Sequence, residues 1–91
     1  MNLKKAFRMS KYYICGEELI LHGRVLKDLK LGDTLLLLDH LKTAKGHSFI
    51  IEKINAYRHE FDKINEGMTC ELIVSGEKLD LEEECIFYVE G

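Results

Sequence analysis

The 91-residue chain contains no proline. That excludes rigid Pro-rich linkers and PxxP ligand segments. Long hydrophobic stretches are missing too, and runs such as Leu19–Leu21 and Leu35–Leu38 fall far short of the ~20 residues that span a bilayer. Met1-Asn2-Leu3-Lys4-Lys5 is not followed by an apolar stretch of signal-peptide length. Asn2 excludes myristoylation, and Tyr88 occupies the place of a prenylated cysteine. These features predict a cytoplasmic protein without a membrane partner. Cysteine is scarce: Cys15, Cys70 and Cys85 are odd in number, widely spaced and set beside apolar residues. That usage predicts buried small hydrophobes rather than disulfide partners.

The motifs of common chemistries are also missing. The seven glycines are scattered and form no GxxxxGK[ST] loop, which argues against nucleotide binding and hydrolysis. No CxxC or HExxH spacing supports a zinc site. His22, His40, His47 and His59 are isolated, although His40 and His47 could meet across a loop. Ser10, Ser48 and Ser75 have no nucleophile-elbow setting, and no cysteine has a neighbouring histidine. Asp80-Leu81-Glu82-Glu83-Glu84 reads as a solvated acidic turn rather than an acid/base pair. Neither an enzyme nor a cofactor is expected.

The net charge of −3 conceals an asymmetry. Residues 1–58 hold eleven Lys/Arg against six Asp/Glu, whereas residues 59–91 hold two against ten. The acidic final third opposes whole-surface nucleic-acid binding but leaves room for one basic face. Segregated charge is also what an ordinary solvated surface shows.

What the chain does contain is a series of short β-type runs. A single domain of this length buries roughly 60–65% of its unfolded surface, enough to fold unaided. Tyr12–Cys15 and Leu19–Leu26 flank Gly16-Glu17-Glu18, which reads as a hairpin turn. Residues 1–6 read as a flexible lead. Tyr12 and Tyr13 could form a base-stacking platform, but adjacent strand residues face opposite ways, so one of them belongs to the core. Thr34–Asp39 is apolar enough for a strand buried on both faces, and residues 40–47 form a loop turning at Gly46. Ser48–Arg58 is long, and its apolar side switches within Phe49–Ile54, the sign of a bulge. Residues 60–66 read as a loop pinned by Phe61 and Ile64. Thr69–Ser75 alternates Cys70, Leu72 and Val74 against Glu71 and Ile73, and a last strand runs through Cys85–Val89. The prediction is all-β: a single closed antiparallel Greek-key barrel of about six to seven strands.

Two segments resemble the second domain of translational GTPases, the family of elongation factor Tu and initiation factor two. The first is Leu19-Ile20-Leu21-His22-Gly23-Arg24-Val25, followed by Lys30-Leu31-Gly32-Asp33 and an apolar strand. Here Gly23 permits a close backbone approach and Gly32 supplies the φ of a tight turn. The second joins Ile54-Asn55-Ala56-Tyr57-Arg58 to Asn65-Glu66-Gly67 and Ser75-Gly76. The resemblance implies the same barrel, without the GTPase domain and therefore without its activity. In elongation factor Tu this domain helps hold the aminoacyl end of tRNA with an acidic residue and an arginine. Arg58 matches the arginine, whereas Asn55 stands where the acidic residue would be. Lys27-Asp28 replaces the usual turn glycine, and the Arg-Gly common before the last strand is replaced near Glu83-Glu84.

Two functions are in competition. One is a non-catalytic module associating with RNA or a ribonucleoprotein, with Arg8, Lys11, Arg24, Lys27, Lys30 and Arg58 on one face and Asn55 and Tyr57 beside them. The other is a protein-interaction or homo-oligomerisation module. In the latter, Arg24 is simply solvated and Arg58 pairs with Glu60 or Asp62 on the surface.

Overall fold

The computed structural model describes residues 2–37, 47–76 and 84–90. Its elements are all strands: β1 (Leu3–Cys15), β2 (Glu18–Val25), β3 (Leu29–Lys30), β4 (Thr34–Leu37), β5 (His47–Ala56), β6 (His59–Phe61), β7 (Lys63–Ile64), β8 (Thr69–Gly76) and β9 (Ile86–Glu90). Every pairing is antiparallel. Hydrogen bonds run β4-β9-β1-β2-β8-β5, and β5 pairs again with β4, so six strands close into a ring. β6 extends β5 as a hairpin, and β3 with β7 forms a separate ribbon. The expected closed antiparallel barrel is therefore present.

Alternation builds the core. In β8, Cys70, Leu72 and Val74 point inward and meet Leu19 and Leu21 of β2. In β5, Phe49 and Ile51 are buried, then Ile54 and Ala56. The change of parity is accommodated by a register shift between Ile51 and Lys53, the bulge that the sequence announced. The extra residue, Glu52, accepts a hydrogen bond from the Ser75 hydroxyl at 3.0 Å. Phe7, Phe49 and Phe87 fill the centre, with ring centroids 6.4 Å (Phe7–Phe87) and 5.8 Å (Phe49–Phe87) apart.

The turns follow their glycines. Gly16 has positive φ at the first position of the β1–β2 turn, the type II′ pattern. Lys30–Asp33 and Asn65–Met68 each close an i to i+3 hydrogen bond, with Gly32 (φ 87°) and Gly67 (φ 92°) in third place. These are type II turns, which need that conformation.

Several expectations are corrected. The expected flexible lead over residues 1–6 is corrected from Leu3 onward: there the chain pairs with β9, and Ala6 is fully buried. In β4 only Leu35 is fully buried, while Thr34 is exposed and Leu36 and Leu37 are half-buried, so this strand is not covered on both faces. Cys15 is exposed at the hairpin end, Cys85 is half-buried, and only Cys70 is buried. Residues 60–66 contain two short strands: Ile64 is buried opposite Leu29, whereas Phe61 stays partly exposed. Of the two tyrosines, Tyr12 packs against the core and Tyr13 faces out, its ring centroid 5.6 Å from the Lys11 ammonium. Leu38–Gly46, with His40, and Glu77–Glu83 lie outside the described residues.

Candidate functional site

A two-residue turn sets the site. Ala56 pairs with His59, leaving Tyr57 and Arg58 as the corner between β5 and β6. Both have positive φ, 50° and 65°. Positive φ at both central positions defines a type I′ turn, usually built from Asn-Gly because other side chains meet their own backbone there. Tyr-Arg is an expensive choice, on the order of 1–3 kcal/mol per strained residue. It places Tyr57, 72% exposed, next to an exposed Arg58.

The corner overhangs a cleft of about 560 Å³, lined by Asn55–Glu60 on one side and by His22, Thr69, Cys70 and Glu71 on the other. The register explains the wall: Lys11, His22, Glu71, Asn55 and Glu60 lie in one row across β1, β2, β8, β5 and β6. His22 Nδ1 lies 3.8 Å from Glu71 Oε2. That distance permits charge attraction but is too long for a hydrogen bond. Beside this row, Arg24 is opposite Arg8 on β1 and Thr69 on β8.

The cleft is poorly equipped for nucleophilic chemistry. Burial, reinforced by the charge of Glu71, pushes the Cys70 thiol up to about 12, so no thiolate forms near neutrality. No group of three or more His, Cys, Asp or Glu side chains among the described residues could hold a metal ion. The hydrogen bond that Lys11 donates to the Tyr13 oxygen, the charge of Tyr13 and the charge of Glu71 raise the pKa of Lys11.

The residues singled out from sequence fall into three groups. Asn55, Tyr57 and Arg58 line the cleft, and Arg24 borders it through Thr69. Lys27 lines a second cleft of about 480 Å³ with Asp28, Asp33 and Glu90. Lys30 lies on the small ribbon, opposite Lys63. The expected single basic face is thus divided: Arg8, Lys11 and Arg24 are neighbours on β1 and β2, and Arg58 stands across the cleft. Arg58 forms no ion pair with Glu60 or Asp62. Sequence reasoning missed His22, His59, Thr69 and Glu71, whose association depends on strand register. The one available signal was the outward parity of β8, which places Thr69 and Glu71 on the same face.

No protein-family model matches the chain, and no curated protein matches it in sequence.

Proposed function

We propose that this chain is a non-catalytic binding module for RNA or a ribonucleoprotein, engaged through the β5–β6 corner and the wall beside it. The observation that carries this reading is the strained Tyr57-Arg58 corner. A conformation costing stability and serving no packing role is the kind of feature found at ligand sites. An exposed tyrosine offers a stacking surface for an unpaired base, and an adjacent arginine offers a charged partner for its phosphate. Asn55, at the same cleft, has the donor and acceptor that base edges require. The resemblance to the second domain of translational GTPases points the same way, toward a cytoplasmic role in translation. It stands on its motifs.

The test is titration of a fluorescent single-stranded oligoribonucleotide at low salt. Binding should weaken steeply as salt rises. Tyr57→Ala should weaken it roughly 5- to 100-fold, as loss of one base–aromatic stack does. No binding at low salt, or full binding by Tyr57→Ala, defeats the reading.

A protein partner or a second copy of the chain is the other reading. Tyr13 (43% exposed), Ile14 (50%) and Ile50 (46%) favour it, because they leave apolar surface at the β1–β2 hairpin and on β5. It predicts a dimer in light scattering, or a specific retained protein.

A further inference from the structure

Arg8 and Arg24 sit directly opposite one another on β1 and β2, and both are exposed. Side chains so placed have Cβ atoms roughly 4.5–5.5 Å apart, and like charges there destabilise the sheet. Nothing in the row offsets this. The flanking positions are Ile86 on β9 and Thr69 on β8. Neither arginine makes an ion pair with a described residue. The carboxylate of the adjoining row, Glu71, faces His22.

The backbone holds the pair in place. Gly23 precedes Arg24 and is buried against the carbonyl of Arg8, so closely that a Cβ would overlap the Arg8 oxygen. The missing side chain therefore locks β1 to β2 at this row. Two exposed guanidinium groups on paired strands, with ten N–H donors between them and no ion-pair partner among the described residues, match a tetrahedral oxyanion, which Arg forks bind bidentately.

We propose that Arg8 and Arg24 together form a phosphate-binding site on the outer face of the β1–β2 ladder. This goes beyond the RNA reading, since the phosphate can belong to a nucleic-acid backbone or be free in solution.

Thermal unfolding in inorganic phosphate, against chloride at matched ionic strength, tests it in the wild-type chain, Arg8→Gln and Arg24→Gln. Phosphate at roughly ten times its dissociation constant should raise the wild-type Tm by several degrees. Each Gln variant should lose most of that rise. In phosphate-free, low-salt buffer each should be at least as stable as wild type, because the repulsion is gone. General salting-in or salting-out acts on all chains alike. An equal phosphate shift in the three proteins, or none in wild type, overturns the site. If a Gln variant fails to fold, Arg24→Lys retains the charge without the fork and should show a reduced phosphate response; an undiminished one overturns the site as well.

The oligoribonucleotide titration separates the sources. Loss of both RNA affinity and phosphate response in Arg24→Gln assigns the phosphate to RNA. Loss of the phosphate response alone assigns it to a free anion. A phosphate response intact in Tyr57→Ala that no longer binds RNA leaves this site standing while locating RNA recognition at the corner.

Discussion

Gly23→Ala should be among the most damaging single-methyl additions available to this chain. A Cβ at Gly23 would overlap the Arg8 carbonyl oxygen and stand 2.9 Å from both the Arg8 carbonyl carbon and Met9 Cα. Non-bonded carbons rest at about 3.5–4.0 Å, so the strands must part by roughly 1 Å. All three obstacles are backbone atoms, so no side chain can rotate away. Overpacking that side chains can absorb costs about 1–3 kcal/mol. Here the separation also breaks two or so ladder hydrogen bonds, each contributing a net ~0.5–1.5 kcal/mol. The expected loss is about 3–5 kcal/mol, from a total on the order of 5–14 kcal/mol for a domain of this length. With a urea m-value of ~1–3 kcal/mol/M, the midpoint should fall by roughly 2 M at unchanged m. Gly16→Ala is the control. Its Cβ meets nothing within 4 Å and its cost is confined to the φ of +62°, about 1–2 kcal/mol. If Gly23→Ala proves no worse than Gly16→Ala, the close approach of β1 and β2 is refuted, and with it the fixed spacing of Arg8 and Arg24.

Two further outcomes follow from the cleft. Replacing Tyr57-Arg58 by Asn-Gly, the residues a type I′ turn prefers, should stabilise the fold by about 1–3 kcal/mol while abolishing oligoribonucleotide binding; a fall in the urea midpoint would show that the native pair supports the barrel instead. The Cys70 thiol should give an alkaline limit to stability. Its folded pKa of about 12 exceeds the ordinary value of 9.0, so the unfolded chain loses this proton first. The contribution is complete below pH 9 and disappears as pH climbs toward 12, at up to ~1.4 kcal/mol per unit. Urea midpoints between pH 8 and 10.5 should decline less steeply in Cys70→Ala than in wild type, and parallel declines would exclude the thiol as the cause.

Much of the architecture was legible in the sequence because its signals are local. Alternation at Cys70, Leu72 and Val74 exposes the face of β8 without reference to any other strand. The parity change inside Phe49–Ile54 reveals a bulge, and Gly16, Gly32 and Gly67 mark turns that few other residues can make. The misreadings involve non-local burial. Cys15 resembles a core residue by its neighbours, yet the hairpin carries it past the barrel end. Leu36 and Leu37 are as apolar as Leu35, and only the closure of the ring through β4 and β9 determines which is covered. The candidate site was half visible. Asn55, Tyr57 and Arg58 lie within four positions of one another, but the central turn positions, Tyr57 and Arg58, hold no Gly or Asn to announce the turn. His22 and Glu71 become neighbours only when β2 and β8 take their register.

Two features that oppose stability, the strained corner and the facing arginines, share one wall of the barrel, while a third, the like-charged Lys30–Lys63 pair, lies on the separate β3–β7 ribbon. The interior is apolar, and no polar or charged residue among those described is buried. The strained corner and the facing arginines lie instead on the outer surface of β1, β2, β8 and β5. Those strands span three inter-strand spacings, roughly 14 Å in all. Thr69 joins the two features, being opposite Arg24 in the ladder and part of the cleft beneath Tyr57. On the proposed reading the nearness of the corner and the arginines has a use: a flexible polyanion needs a charged hold for its backbone and an aromatic surface for a base within reach of each other. The acidic final third fits the same picture. Of its described carboxylates, Glu60 and Glu71 line the cleft, so a phosphate at Arg58 meets their repulsion and the Arg8–Arg24 side is the less opposed hold for the rest of the phosphate chain.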